Sequence, residues 1–429
     1  METDCFPNAG VEWPKGNLSV LAEVNPRYPM KKGREYPFVE MASVGENFAG
    51  ILQYDVRSFQ NSGLSRFQVG DTLFAKITPC PQNGKIAYVD HLPGEVGLGS
   101  TEFIVLSPRA NTVPRFIYHL ACSHALRGRA VARMEGSTGR QRVPDDVFTK
   151  RLLVPLPGPA EQGAIACILD AVDTALGRTR ANLAAAKTLV DSLREDAVAG
   201  KLITPCMCLC EGSTWTHPRL GTIPSGWSVD RLGKLCERIV DGTHQAVETS
   251  KSGVPFLYVS CVREGRILWK NASFITARTY TRISKGREPQ FGSVLYTAVG
   301  SYGNAALVSI NDPFSFQRHI AVLYPKTAQL LGGYLAMWLN SSKGKRWSEI
   351  HAVGNAQKTV TLTELAKHLI SFPSPEVQRE LCNVLSGAEA VIDATSERLN
   401  ALVEMKRSLL HDLLTGCVRV AELKKVAAS

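Results

Sequence analysis

Nowhere in its 429 residues does the chain offer the run of ~20 apolar positions that a membrane-crossing helix requires. Its opening, METDCFPNAG, lacks the basic-then-apolar order of an export signal, so a cytoplasmic protein with no membrane partner is expected. Loops that would cradle a nucleotide are missing as well. GNAQKT (Gly354 to Thr359) carries Lys-Thr without the second glycine and the spacing that wrap a phosphate, and no G-x-G-x-x-G opens a helix. There is no G-x-S-x-G elbow for a serine nucleophile, and no Asp/Asn-Pro-Pro-aromatic loop to hold a flipped adenine. VPDDVF (Asp145, Asp146) offers half of a nuclease's acidic cluster with no E-x-K after it, and two acids ahead of a helical stretch read as a cap. These absences exclude a motor, a dinucleotide enzyme, a serine hydrolase, an adenine methyltransferase and a nuclease as readings of the chain by itself. No catalytic residue, cofactor site or metal site is expected on it.

The 11 cysteines are odd in number and irregularly spaced, in a chain large enough to need no staples. Their one dense cluster, Cys206, Cys208 and Cys210, has C-x-C-x-C spacing with only His217 close by, which does not fit a zinc site and reads as reduced thiols in a linker. His119 and His124 flank Cys122 in an apolar helical stretch and read as packing.

What the chain does contain is a repeat. Residues 162–202 align without a gap to residues 378–418 at an offset of 216, with nine identities that include Gln162, Thr179, Leu193 and Gly200 with their partners. Ahead of each copy stands a similar phrase, TGRQRVPDDVFTKRLLVPLPGPAEQ (138–162) and GNAQKTVTLTELAKHLISFPSPEVQ (354–378), in which Gln141-Arg142 matches Gln357-Lys358 at the same offset. Further upstream GDTLFA (70–75) corresponds to GSVLYT (292–297) at 222, and PFVEMASV (37–44) to PFLYVSCV (255–262) at 218.

The aligned segments are heptad helices. Ile165, Val172, Thr179, Ala186 and Leu193 fall at a, and Leu169, Leu176, Leu183, Val190 and Ala197 at d. The second copy places Leu381, Ala388, Thr395, Leu402 and Leu409 at a, and Leu385, Ile392, Leu399, Lys406 and Leu413 at d. Proline just before each start (Pro159, Pro375) and glycine at each C-terminal cap (Gly200, Gly416) delimit them. The intervening modules are α/β. Short β-rich runs such as DTLFAKI, EFIVLS, SVLYTAV and AALVSI are bounded by Gly, Pro and Asn. VPRFIYHLACSHALRGRAV and TAQLLGGYLAMWLNSSKGKRW read as one helix each.

The net charge of +10 sits in the modules: residues 1–159 hold 18 Lys/Arg against 15 Asp/Glu and residues 205–374 hold 19 against 10, whereas 160–204 and 375–429 are each at −1. That distribution suits a polyanion touching both modules. The polar loops between strands supply the contacts: Lys76, Thr78, Gln82, Asn83 and Lys85 in the first module, Thr297, Ser301, Tyr302 and Asn304 in the second. Arg140, Gln141 and Arg142 join the first set, and Gln357 and Lys358 the second, together with the DGTH turn (Asp241, Thr243, His244). Amides, hydroxyls and cations in such loops suit phosphate contacts and base edges alike.

On these residues the chain resembles the specificity subunit of type I restriction–modification systems over essentially its whole length. GDTLFAKITP…GKIAYV, DGTH and the paired boundary phrases running into heptad helices carry the resemblance. It implies an α/β fold with two target recognition domains (residues 1–159 and 205–374), separated by two long antiparallel coiled-coil helices (residues 160–204 and 375–429), as a tandem pseudo-repeat. It also implies a non-catalytic subunit that reads a bipartite, asymmetric site on double-stranded DNA. Two DNA adenine methyltransferase subunits and motor–nuclease restriction subunits would be its partners, with S-adenosylmethionine, ATP and Mg on those partners. The first module has no DGTH and carries only VNPRYP (24–29) nearby. A related system whose single partner carries both methylation and cleavage is the alternative. A coiled-coil adaptor that binds proteins only would fail to retain DNA, and a DNA-modifying enzyme would transfer methyl groups unaided.

Overall fold

The computed structural model describes residues 13–60, 63–137, 139–202, 213–355 and 357–420. Cys206, Cys208 and Cys210 lie outside the described residues. The chain divides into two compact units, residues 1–181 with 397–429, and residues 182–396.

In the first unit an antiparallel sheet runs in the order Ala22–Val24, Phe103–Pro108, Thr72–Ala75, Ile86–Tyr88. Its two middle strands are largely apolar and buried, apart from the half-buried Ser107 and Pro108, because both faces are covered, as side chains alternate with a period of two. Phe74, Ile104 and Leu106 face a core shared with Phe116 and Leu120 of helix Pro114–Cys122. Leu73 and Val105 face a second core with Val39, Val44 and Phe67. A further sheet runs Asp55–Ser58, Glu35–Val39, Gly97–Gly99, Ser65–Phe67, with a parallel pair at its centre.

The second unit repeats the plan. Its antiparallel sheet runs Cys236–Asp241, Ile320–Pro325, Val294–Thr297, Ala305–Leu307. Beside it stand Ser273–Ile275, Val254–Leu257 and Ser315–Phe316, again with a parallel pair. In both units the boundary phrase forms a strand that returns to the module's own start: Leu153–Pro155 pairs with Lys15–Asn17, and Leu369–Phe372 with Ser228–Arg231.

Each stretch read as one helix is two. Helix Pro114–Cys122 stops before helix His124–Val131, and Gly332–Asn340 before Ser342–His351. Ser123 and Ser341 make the break in the same way. The hydroxyl of each donates to a carbonyl behind it (Leu120, 2.7 Å; Trp338, 2.6 Å). It also accepts an amide ahead (Leu126, 3.2 Å; Gly344, 3.3 Å), as an N-cap serine does.

The heptad segments are unbroken helices, Pro159–Ala199 and Pro375–Thr415, which begin at the prolines themselves. Gly200 and Gly416 end them with φ of 68° and 76°, the left-handed cap that only glycine adopts without strain. Every a and d position in both is buried or half-buried. In the first unit the two helix segments run antiparallel, since Asp173 takes Lys406 at 2.5 Å and Glu161 takes Arg419 at 2.6 Å. In the second, Val190, Ala197 and Val198 pack in one core with Val377, Leu381 and Leu385.

The repeated glutamine has a structural reason. Gln162 and Gln378 are both buried. Their side-chain oxygens accept the amides of Val113 (2.9 Å) and Leu331 (2.7 Å), the residues just before the module's core helix. Their amide groups donate to Pro157 and Pro373, both at 2.8 Å. A single side chain thus locks long helix, boundary strand and module together, and this accounts for its recurrence.

Candidate nucleic-acid interface

The loop that follows strand Thr72–Ala75 meets the loop ahead of the boundary strand. Ile77 and Glu135 both bridge Arg142, the amide of Thr78 reaches the Gln141 carbonyl at 2.9 Å, and Val143 reaches that of Lys76 at 2.9 Å. The second unit builds the same junction from Val299, Val353 and Thr359, with Gly300 donating to Lys358 and Val360 to Ala298. The backbone therefore corrects the register read from sequence. Arg142 corresponds to Thr359 and Gln141 to Lys358, at 217 rather than 216, because the second copy is one residue shorter between this junction and the buried glutamine that opens the long helix (Arg142 to Gln162 against Thr359 to Gln378).

The predicted residues separate into presented and engaged side chains. Arg140, Gln357 and Lys358 are exposed, and no acidic partner holds Lys358 among the described residues. Arg142 is engaged: its guanidinium binds Glu102 through both nitrogens, Nε to Oε2 at 2.9 Å and Nη2 to Oε1 at 2.8 Å. That hydrogen bonding holds the Glu102 carboxyl below the usual carboxylate range. Lys76 faces Asp145 at 3.4 Å. Lys85 turns inward to the Met41 carbonyl at 3.0 Å, and Asn83 donates to Glu46 at 3.0 Å. Thr78 accepts from Gln82 at 3.1 Å. Gln141 is half-buried at the junction.

In the second unit Thr297 and Thr243 are buried, which corrects their reading as contact residues. Thr297 shapes its loop, donating to Ser301 O at 2.8 Å and accepting from the Asn304 amide at 2.9 Å. Thr243 accepts from the Gln245 amide at 3.2 Å within the DGTH turn. A methyl group on Gly242 would sit 2.3 Å from the Gln317 carbonyl oxygen, so the turn's glycine is fixed by close backbone approach. His244 stays exposed, its Nε2 2.6 Å from Asp241. Ser301 accepts from Arg263 at 2.9 Å, and Tyr302 packs half-buried against the core.

Four further residues belong to these faces. Asn25 (φ 54°) leaves the same sheet edge as DGTH and donates to Asp145 at 3.0 Å, so VNPRYP is the first module's counterpart of that turn. Asp146 takes Arg151 at 2.7 Å and caps nothing, a correction to the sequence reading: its own backbone is already helical (φ −69°, ψ −15°), not the extended conformation from which a side chain caps. Glu102 corresponds to His319, each just ahead of the second sheet strand, where Lys76 and Ala298 donate to their carbonyls. Burial first, then the charges of Arg318 and His244, lower the pKa of His319. The matched strand ends held the only sequence signal for these positions.

Comparisons with known proteins converge on one family. The profile of the type I restriction modification DNA specificity domain matches residues 224–405. The EcoAI type I restriction enzyme specificity subunit of Escherichia coli is 30% identical over 158 residues, 36% of this chain and 26% of that protein. Residues 224–405 therefore match the DNA specificity domain of type I systems, and the chain is similar to type I specificity subunits. The putative MjaX specificity subunit of Methanocaldococcus jannaschii aligns over 394 residues at 21% identity, 90% of this chain and 88% of that protein. Alignment to the Escherichia coli EcoAI and EcoEI subunits spans about a quarter of their length. Among solved structures, a chain from a type I R-M system matches with a TM-score of 0.59 at 20% identity, covering 96% of this chain and 99% of that one. The S subunit from M. genitalium matches at 0.57 and 14%, covering 94% and 96%. These likenesses support the mixed α/β fold of the specificity subunits, two modules and two long helices included. No helix among the described residues is long and apolar enough to cross a membrane.

Proposed function

We propose that this chain is a type I specificity subunit that reads a split, asymmetric site on double-stranded DNA, one half by each module. The two loop junctions carry this reading: one backbone framework, built twice, presents different side chains each time. A scaffold that repeats while its exposed loops diverge suits two unlike half-sites served by like partners. The long helices space the modules and offer related docking surfaces to two adenine methyltransferase subunits, with motor–nuclease subunits completing the assembly in the cytoplasm. S-adenosylmethionine, ATP and Mg belong to those partners, and this chain supplies address, not chemistry.

Exchanging residues 205–374 for the corresponding module of a relative tests the reading. Mapping of methylated adenines in cells is expected to show one half-site replaced and the other retained. A change in both halves, or methyl transfer by the purified chain alone, would refute it.

A further inference from the structure

Behind each loop a cation arrives from the same position of the repeat. Arg127 lies four residues after Ser123 and Lys345 four residues after Ser341, the two serines that break the helices. Arg127 Nη1 donates to the carbonyls of Pro81 (3.1 Å) and Gln82 (2.9 Å). Lys345 Nζ donates to Asn304 Oδ1 at 2.9 Å, while the Asn304 amide group holds Ser301 O at 2.9 Å. Both cations are half-buried, and neither pairs with an acid among the described residues. A half-buried charge without a carboxylate is costly and persists only where oxygen dipoles compensate it. Here the loops supply those oxygens.

A second support reinforces each loop. The amides of Asn47 and Phe48 donate to the carbonyls of Asn83 (2.8 Å) and Gly84 (3.0 Å). Both residues hold left-handed φ, 52° and 62°, a conformation worth ~1–2 kcal/mol of strain that surrounding contacts must maintain. The Phe48 ring lies 5.2 Å from the Arg127 guanidinium. In the second unit Arg263 does this work by holding Ser301 Oγ.

We infer that Arg127 and Lys345 are the paired positioning residues of the two recognition loops, each fixing the loop shape in which one half of a DNA site is read. This rests on the DNA-reading function proposed above. The two differ in one testable respect. Burial, helped by Arg194 and Arg263, brings the Lys345 ammonium down to about 8. Burial lowers Arg127 too, but a guanidinium stays charged across the working range. Arg194 comes from the first long helix, where Asp191 and Glu389 pair with it, and Arg263 from the hairpin strand beside the loop. Raising the pH therefore releases the second loop and spares the first.

Amide exchange of the full chain at pH 7 and pH 9, corrected for intrinsic rates, reads this directly. Residues 297–304 are expected to exchange about tenfold faster at pH 9 in the wild type and to stay protected in Lys345→Arg, with residues 76–85 unmoved in both. Equal protection at both pH values in the wild type would overturn the proposal. Selection of bound duplexes from a randomised pool supplies the second arm. Lys345→Met should blur one half of the recovered sequence and Arg127→Met the other. Wild-type protein recovering no sequence would overturn the DNA reading itself, whereas a split sequence left unaltered by both variants would overturn only the positioning role.

Discussion

Where the first unit closes its loop junction with Glu102 against Arg142, the second sets His319 beside Arg318 and His244, with Thr359 opposite. The neighbouring turn differs as well: Asn25 bound to Asp145 in one, Asp241 bound to His244 in the other. Against this, the buried glutamines, the helix-breaking serines and the left-handed cap glycines are the same residue in both units. The two junctions thus carry different side chains on a common framework, as expected where one architecture must address two different surfaces.

The largest effect expected from disturbing one unit and not the other comes from Gly242→Ala. Its methyl would meet the carbonyl oxygens of Gln317 (2.3 Å) and Phe316 (2.4 Å), which are backbone and cannot turn aside. A loss of about 3 kcal/mol in the second unit is expected. Five of the six tryptophans lie in residues 182–396, so denaturant unfolding followed by tryptophan fluorescence reports on that unit. An unchanged midpoint would mean that the strand edge is soft.

Acid should separate the units next. His368 is buried, stacked on Trp347 with ring centroids 4.0 Å apart, and stands where the first repeat has Leu152. Burial, with a smaller contribution from His351, lowers its pKa to about 3. A histidine depressed in the folded state contributes stability above its ordinary value, near 6.5, and loses it as pH falls below that value, because the unfolded chain then binds a proton that the folded one refuses. From pH 7 to pH 5 the loss attributable to His368 is about 2 kcal/mol. The fluorescence midpoint of His368→Leu should fall less over that range than the wild type's; parallel declines would contradict the assignment. A smaller and symmetric effect is expected from the breaks between helices: Ser123→Ala and Ser341→Ala should each cost ~1 kcal/mol, and a marked inequality would show that the two breaks are not equivalent.

How far these features were legible beforehand depended on the range of the interactions behind them. Heptad spacing is local, and all a and d positions, Lys406 included, are covered in the structure. The helix breaks were hidden because a serine inside an apolar stretch is compatible with continued helix; only its two reciprocal hydrogen bonds decide the matter. The loop register was misread by one because identities in the long helices fixed the offset, whereas the bridges at Arg142 and Thr359 reveal the missing residue. Thr297 and Thr243 looked like contact residues since a hydroxyl in a polar loop can face either way. Arg127 and Lys345 gave no sign at all, because a cation aimed at loop oxygens leaves no trace in spacing.

The smallest effect sharpens the comparison most. Lys358 is exposed, and no acid holds it among the described residues, so Lys358→Ala should lower the salt dependence of DNA binding by about one counterion without relaxing sequence preference. Arg142, read from sequence as its equal, already spends its charge on Glu102. A neutral pair releases few counterions, so Arg142→Ala should change the slope by clearly less than one. It should still weaken binding at low salt, because the freed Glu102 carboxylate then repels phosphate. Adding Glu102→Gln to Arg142→Ala should restore much of that loss, whereas no such rescue exists for Lys358→Ala. Titrations across 50–200 mM salt with the two single variants and the double variant distinguish the cases. If Arg142→Ala removes a full counterion and Glu102→Gln restores nothing, the ion pair opens on the duplex. Both modules would then grip phosphate alike, and their electrostatic difference would exist only in the free protein.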